Sequence, residues 1–142
     1  MSAEDGTNRR SPLYSEVTLD HFLHPRNVGQ VPGFHGIGRV KSTVCQDLLE
    51  VTVRREASGA LETGFRAQAC SACIAAASLL TEWVNGERLD EPAARAIDAA
   101  ALTRRLGGMP AGKRPCVAMA PVALARALDA IGGAPEARPP NG

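Results

Sequence analysis

Aromatic residues are nearly missing from this chain: Tyr14, Phe22, Phe34, Phe65 and Trp83 are scattered through 142 residues and make up 4% of them. Five isolated rings build no stacking platform for nucleic-acid bases. An excess of one charge is missing too, since sixteen Lys+Arg face fifteen Asp+Glu for a net +1. No overall field then draws the chain to nucleic acid or to an acidic membrane surface, and any partner must be recognised locally. No apolar run reaches the roughly 18–20 residues of a membrane helix, and MSAEDGTNRRSPLYS at the start lacks the apolar core of a signal peptide. A cytoplasmic protein without membrane or nucleic-acid partners is the expectation. A Ser-His-Asp order, a phosphate loop and a dinucleotide glycine fingerprint are likewise missing.

What remains is ordinary globular usage, 44% hydrophobic and 22% charged, in a length that suits one domain. Residues 1–12 are polar and 132–142 are rich in Gly and Pro, so mobile tails are expected around a folded part at 13–131. Val17, Leu19, Phe22 and Leu23 suit a short amphipathic helix from Tyr14 to Leu23, stopped by Pro25. Strand-like runs follow at Gly38 to Val44, Leu48 to Arg55 and Leu61 to Ala69, with Ser58-Gly59 as the hairpin turn between the last two. Helical patterns then cover Ser71 to Val84, closed by Asn85-Gly86, and 91–106, entered through Asp90 and Pro92. The last helix is predicted over Val122 to Ile131, with Pro121 in its first turn because an interior proline costs about 3 kcal/mol.

The four cysteines fall at element boundaries. Cys45 stands two residues from Asp47 between the first two strands, Cys70 and Cys73 open the Ala-rich helix, and Cys116 precedes the last helix. Structural thiols act as small hydrophobes and belong inside apolar patterns, as Cys73 beside Ile74 does; the other three do not fit that description. The Cys45-x-Asp47 pair, the Cys70-x-x-Cys73 pair and the distant Cys116 offer the donors of a tetrahedral zinc site assembled by the fold. The Cys-x-x-Cys at 70–73 alone suggests a thioredoxin-like redox pair, but that motif expects a βαβ unit and leaves Cys45 and Cys116 without a role. His21, His24 and His35 have no ligand spacing and are expected at the surface or as caps.

With these residues marked, the chain resembles the iron–sulfur cluster assembly scaffolds of the IscU family, which includes the N-terminal domain of NifU and the related SufU proteins. The resemblance rests on LYSEVTLDHFLHPRNVG at 13–29, where the family reads close to YSE…DHY…NPRNVG, and on ACIAAASLLTEWVNG at 72–86, which is similar to AIASSSLVTEWVKG. Cys45-Gln46-Asp47 matches the family's Cys-Gly-Asp, Cys70 its second ligand cysteine and Cys116 its third, without the insertion SufU proteins carry before the last cysteine. Departures cluster here: Gln46, Ala69 and Ser71 replace glycines, Cys73 replaces an alanine, and Pro115 stands where IscU has a histidine and SufU a lysine.

The resemblance implies an α+β fold, a three-stranded, mostly antiparallel sheet with helices packed on one face and the ligand loops at one end. It implies a cluster-binding set of Cys45, Asp47, Cys70 and Cys116 for an iron–sulfur cluster of the 2Fe–2S type, with zinc as an alternative occupant. The alternative function is a zinc-bound, SufU-like sulfur acceptor that stimulates a desulfurase. Sulfur would come as persulfide from a cysteine desulfurase, with Cys116 as first acceptor on a loop beside a mobile Gly107-Gly108 and Gly112 segment, and the cluster would pass to apo iron–sulfur proteins. Helix N-termini favour thiolates, and Cys70 and Cys116 stand next to two of them. Met109-Pro110-Ala111-Gly112-Lys113 only partly matches the family's Leu-Pro-Pro-Val-Lys, which argues against a DnaK-class chaperone partner. Cys73, three residues after Cys70, is either a further ligand or persulfide relay, or a core residue in place of alanine.

Overall fold

The computed structural model describes residues 14–42 and 46–133. The expected tail at 1–12 lies outside the described residues, as do 134–142 of the tail expected at 132–142, whose first two residues end the last helix, and Val44 at the end of the first predicted strand. The order is α1 (Glu16–Leu23), β1 (Gly36–Lys41), β2 (Leu48–Arg55), β3 (Leu61–Gln68), α2 (Ser71–Gly86), α3 (Glu91–Arg95), α4 (Ala99–Arg105), a 3-10 turn (Ala111–Lys113) and α5 (Arg114–Gly133). The sheet runs β1-β2-β3 and is antiparallel throughout, pairing Arg39 with Glu50 and Glu50 with Arg66.

The alternation in β2 decides which face the helices cover. Leu49, Val51 and Val53 are fully buried on the side of α2 and α5, joined by Leu61 and Phe65 from β3. On the other face Glu50 is buried too: burial pushes its carboxyl up, but hydrogen bonds from Arg66 and Gln30 outweigh this and hold it below its ordinary range. The helix α5 lies directly on β1 because Gly36 and Gly38 carry no side chain. A Cβ there would stand 2.1 and 2.2 Å from the carbonyl oxygens of Ala127 and Ala123.

Four expectations need correction. The segment 91–106 is two helices, because Asp98 restarts the chain as an N-cap, accepting the Ala101 N–H at 2.8 Å as Asp90 accepts that of Ala93 at 3.1 Å. Pro121 is not in a first turn but inside α5, which begins at Arg114 with Pro115 near its start. The burial of Val117, Ala120, Ala123, Leu124, Ala127 and Leu128 offsets the lost hydrogen bond. Gly107-Gly108 is a helix stop, with the Gly107 N–H on Arg104 O and the Gly108 N–H on Thr103 O, both glycines at positive φ.

The fourth correction concerns α1, whose apolar side chains do not face the core. Leu23 is 63% exposed and Val17, Leu19 and Phe22 are exposed as well, whereas Thr18 and His21 are buried. At 100° per residue Leu19, Phe22 and Leu23 share one side of the helix and Val17 lies apart from them, while Thr18 and His21 hold the inward side, so the apolar positions form no inward stripe. Polar bonds hold the helix instead. Thr18 Oγ1 donates to Leu106 O at 3.1 Å, Ser15 Oγ also donates to Leu106 O, and His21 Nδ1 is 2.7 Å from Ser78 Oγ.

Candidate metal centre

Three elements converge at one end of the sheet. Asp47 ends the β1–β2 connection, which is closed by the Ser42 N–H on Asp47 O at 2.8 Å. Cys70 is the N-cap of α2, its backbone extended at φ −68° and ψ 166°. Cys116 is the third residue of α5 and is buried, so it stands in a helical turn and not on the expected loop. One carboxylate oxygen of Asp47 and the sulfurs of Cys70 and Cys116 all lie within 4.8 Å of one another.

The carboxylate is the informative member. Asp47 is 5% exposed; its Oδ1 accepts the Cys70 N–H at 3.2 Å, while its buried Oδ2 has no partner among the described residues. A buried oxygen without a partner costs about 1–3 kcal/mol, and a cation between it and the two sulfurs removes that cost. Two soft sulfurs and one hard oxygen suit zinc or iron, with a fourth position left for another ligand. Cys45 lies outside the described residues.

Cys73 is fully buried on the core side of this corner and is not one of the three mutually close ligand residues. Burial pushes its thiol up to about 12, and the charges of Cys70, Asp47 and Cys116 each add to the effect, so its sulfur is near all three. Cys70 is half-buried and is the most accessible of the described thiols; Cys70, Cys73 and Cys116 are not joined by disulfides. Gln46 holds φ +60°, a left-handed conformation that turns the chain into Asp47. The glycine expected at this place by the resemblance is thereby explained.

The histidines divide. His24 is exposed and His35 Nδ1 accepts the Arg55 N–H at 3.0 Å, but His21, expected at the surface, is buried between α1 and α2. Ser78 Oγ accepts the Arg26 N–H at 2.9 Å, so its hydroxyl proton is free for His21 Nδ1, leaving Nε2–H toward Glu82 at 3.4 Å. Asn27 reaches Thr81 on the same seam. The signal for this seam was the pair of matched segments, which read as a family signature without disclosing what its polar residues do.

A small α+β domain with a cysteine–aspartate corner at one sheet end is the class that fold and site define. Residues 13–135 match the family described as the NifU-like N terminal domain, and the chain belongs to it. It is 35% identical over 116 residues to the iron–sulfur cluster assembly scaffold protein IscU 1 of Archaeoglobus fulgidus, covering 82% of this chain and 74% of that protein. It is 38% identical over 108 residues to the nitrogen fixation protein NifU of Azotobacter chroococcum, covering 75% of this chain but 34% of that longer protein. The N-terminal NifU-like structure from Brucella abortus superposes with a TM-score of 0.63 at 15% identity, covering 85% of this chain and 95% of that one, and shares the fold. Among the described residues no helix is long and apolar enough to cross a membrane.

Proposed function

We propose that this chain is a scaffold on which an iron–sulfur cluster is built from iron and desulfurase-derived sulfur and then passed to apoproteins. The observation that carries the reading is the buried Asp47 carboxylate, one oxygen of which lies within 4.8 Å of the Cys70 and Cys116 sulfurs and whose Oδ2 has no hydrogen-bond partner among the described residues. Relatives named as cluster assembly scaffolds support it. Cys45, two residues from Asp47 in sequence, completes the ligand set, and Cys73 stays outside it. Three thiolates hold the cluster, and the carboxylate, a harder and poorer partner for it, lets it leave. A 2Fe–2S cluster suits a single four-ligand corner.

Sulfur enters by exchange. A scaffold thiolate attacks the outer sulfur of a protein persulfide on a cysteine desulfurase, the scaffold becoming the persulfide and the desulfurase cysteine leaving as thiolate. Cys70, the more accessible of the two described ligand thiols, takes this role in preference to Cys116, whose expected loop is a helical turn. Clients are apo iron–sulfur proteins. Anaerobic reconstitution of the metal-free protein with iron and a charged desulfurase tests the reading: a visible sulfide-to-iron charge-transfer spectrum that transfers to an apo-ferredoxin supports it. One tight zinc that persists and blocks the chromophore would instead assign the zinc-bound sulfur acceptor.

A further inference from the structure

Cys73 is left unused by cluster binding, yet its placement one turn from the ligand Cys70 makes the two a dithiol placed to react. Cys70 is half-buried at the N-cap of α2, and Cys73 is fully buried one turn on. Residues three apart on a helix have Cβ atoms about 5–6 Å apart, and a disulfide needs roughly 3.5–4.5 Å. The difference falls on the side chain of the N-cap: the Ile74 N–H bond to Cys70 O at 3.1 Å and the Cys70 N–H bond to Asp47 Oδ1 at 3.2 Å hold its backbone, which is extended, while its thiol makes no capping hydrogen bond and turns about Cα–Cβ.

We propose that Cys73 is a resolving thiol that reduces a persulfide on Cys70 and releases its outer sulfur as sulfide. The Cys73 sulfur attacks Cys70 Sγ, the Cys70–Cys73 bond forms, and the bond from Cys70 Sγ to the outer sulfur breaks. The outer sulfur leaves with the bonding pair and, taking up the Cys73 thiol proton, departs as hydrogen sulfide. Two electrons move from the two cysteine sulfurs to the sulfane sulfur, so the step needs no outside reductant; a cellular dithiol resets the disulfide afterwards. Attack at the inner sulfur follows from position, since Cys73 is fully buried on the core side of Cys70, whose half-exposed thiol faces the solvent from which the outer sulfur is delivered. The relay would give this chain its own source of sulfide at the oxidation level a cluster needs. In relatives with alanine at this position that chemistry would have to come from elsewhere.

The inference rests on the sulfur-accepting role proposed above, and a single turnover separates the two. Metal-free, reduced protein is mixed with a cysteine desulfurase charged to its persulfide and freed of cysteine, without iron or reductant. Sulfide and intact mass are then read. Wild type is expected to release sulfide and lose two hydrogens, with the disulfide mapping to Cys70 and Cys73. Cys73→Ala, which restores the relatives' residue and is checked for its fold by circular dichroism, is expected to keep one extra sulfur atom on Cys70 and release about tenfold less sulfide. A wild-type chain that keeps the extra sulfur without forming the disulfide overturns the relay and leaves the acceptor role standing. Should neither chain take up sulfur nor release sulfide, both fall.

Discussion

The seam between α1 and α2 and the metal corner are built on opposite terms. At the seam His21, Arg26, Asn27, Ser78, Thr81 and Glu82 bond one another through two helices, and Thr81 Oγ1 also donates to Ala77 O at 2.9 Å. These are the residues that match the family signature. At the corner a carboxylate oxygen is buried without a partner among the described residues, Gln46 holds a left-handed backbone, and Gln46, Cys73 and Pro115 are residues at which the resemblance fails. The difference teaches that the recognisable segments of this chain are residues that hold the fold through mutual polar bonds, while the reactive end keeps a polar group in reserve for a ligand.

Two variants break this contrast if it is wrong. Asp47→Asn keeps an oxygen for the Cys70 N–H but removes the charge. Zinc affinity should fall more than about a hundredfold, beyond the 10–100-fold loss typical of residues that only support a ligand, while the urea midpoint of the metal-free protein hardly moves. Ser78→Val should do the reverse. It leaves His21 Nδ1 and the Arg26 N–H without their partner and should cost about 2–3 kcal/mol in urea unfolding, with zinc affinity unchanged in the fraction that is folded. Equal effects of the two variants on both measurements would erase the distinction.

The sequence discloses the parts of this molecule that follow local rules. Leu49, Val51 and Val53 alternate cleanly, and β2 occupies the range their pattern predicts. The helix α2 runs from Ser71 through the expected Asn85-Gly86 stop. What stayed hidden depends on distant partners. The first strand begins at Gly36 instead of Gly38, and the need for glycine at both positions comes from α5, which is far along the chain. The inward side of α1 is polar because its partners, Leu106 O and Ser78 Oγ, come from far along the chain. Asp47, Cys70 and Cys116 are individually visible as boundary residues, but the missing partner of Asp47 Oδ2 exists only once the fold has buried it.

Acid sharpens the seam side of the comparison. Burial, joined by Arg26 and opposed by Glu82 and Asp20, lowers the His21 pKa from its ordinary 6.5. The unfolded chain therefore takes up this proton at a higher pH than the folded one. The contribution of neutral His21 is complete above about pH 6.5 and is lost as pH falls below it, until the folded histidine titrates too. Thermal melts stepped from neutral to mildly acidic pH should show wild type losing stability faster than His21→Asn. Parallel pH slopes for the two proteins would mean that the seam does not hold its histidine neutral.

The smallest effect falls on the corner and concerns its backbone. A residue with a side chain in the left-handed region pays about 1–2 kcal/mol that glycine does not, and Gln46 is exposed at φ +60°, so its side chain recovers little by burial. Against this, glycine loses more freedom on folding, a cost of about 0.4–1 kcal/mol. The net for Gln46→Gly is a gain of roughly 0.5 kcal/mol in urea unfolding, whereas Gln46→Ala keeps the strain and should gain nothing. The order glycine above glutamine, with alanine no better than glutamine, is the signature of a strained turn that presents Asp47. If glycine is instead the least stable of the three, the turn is not strained in the folded protein, and the glycine of the relatives must serve the cluster corner in another way.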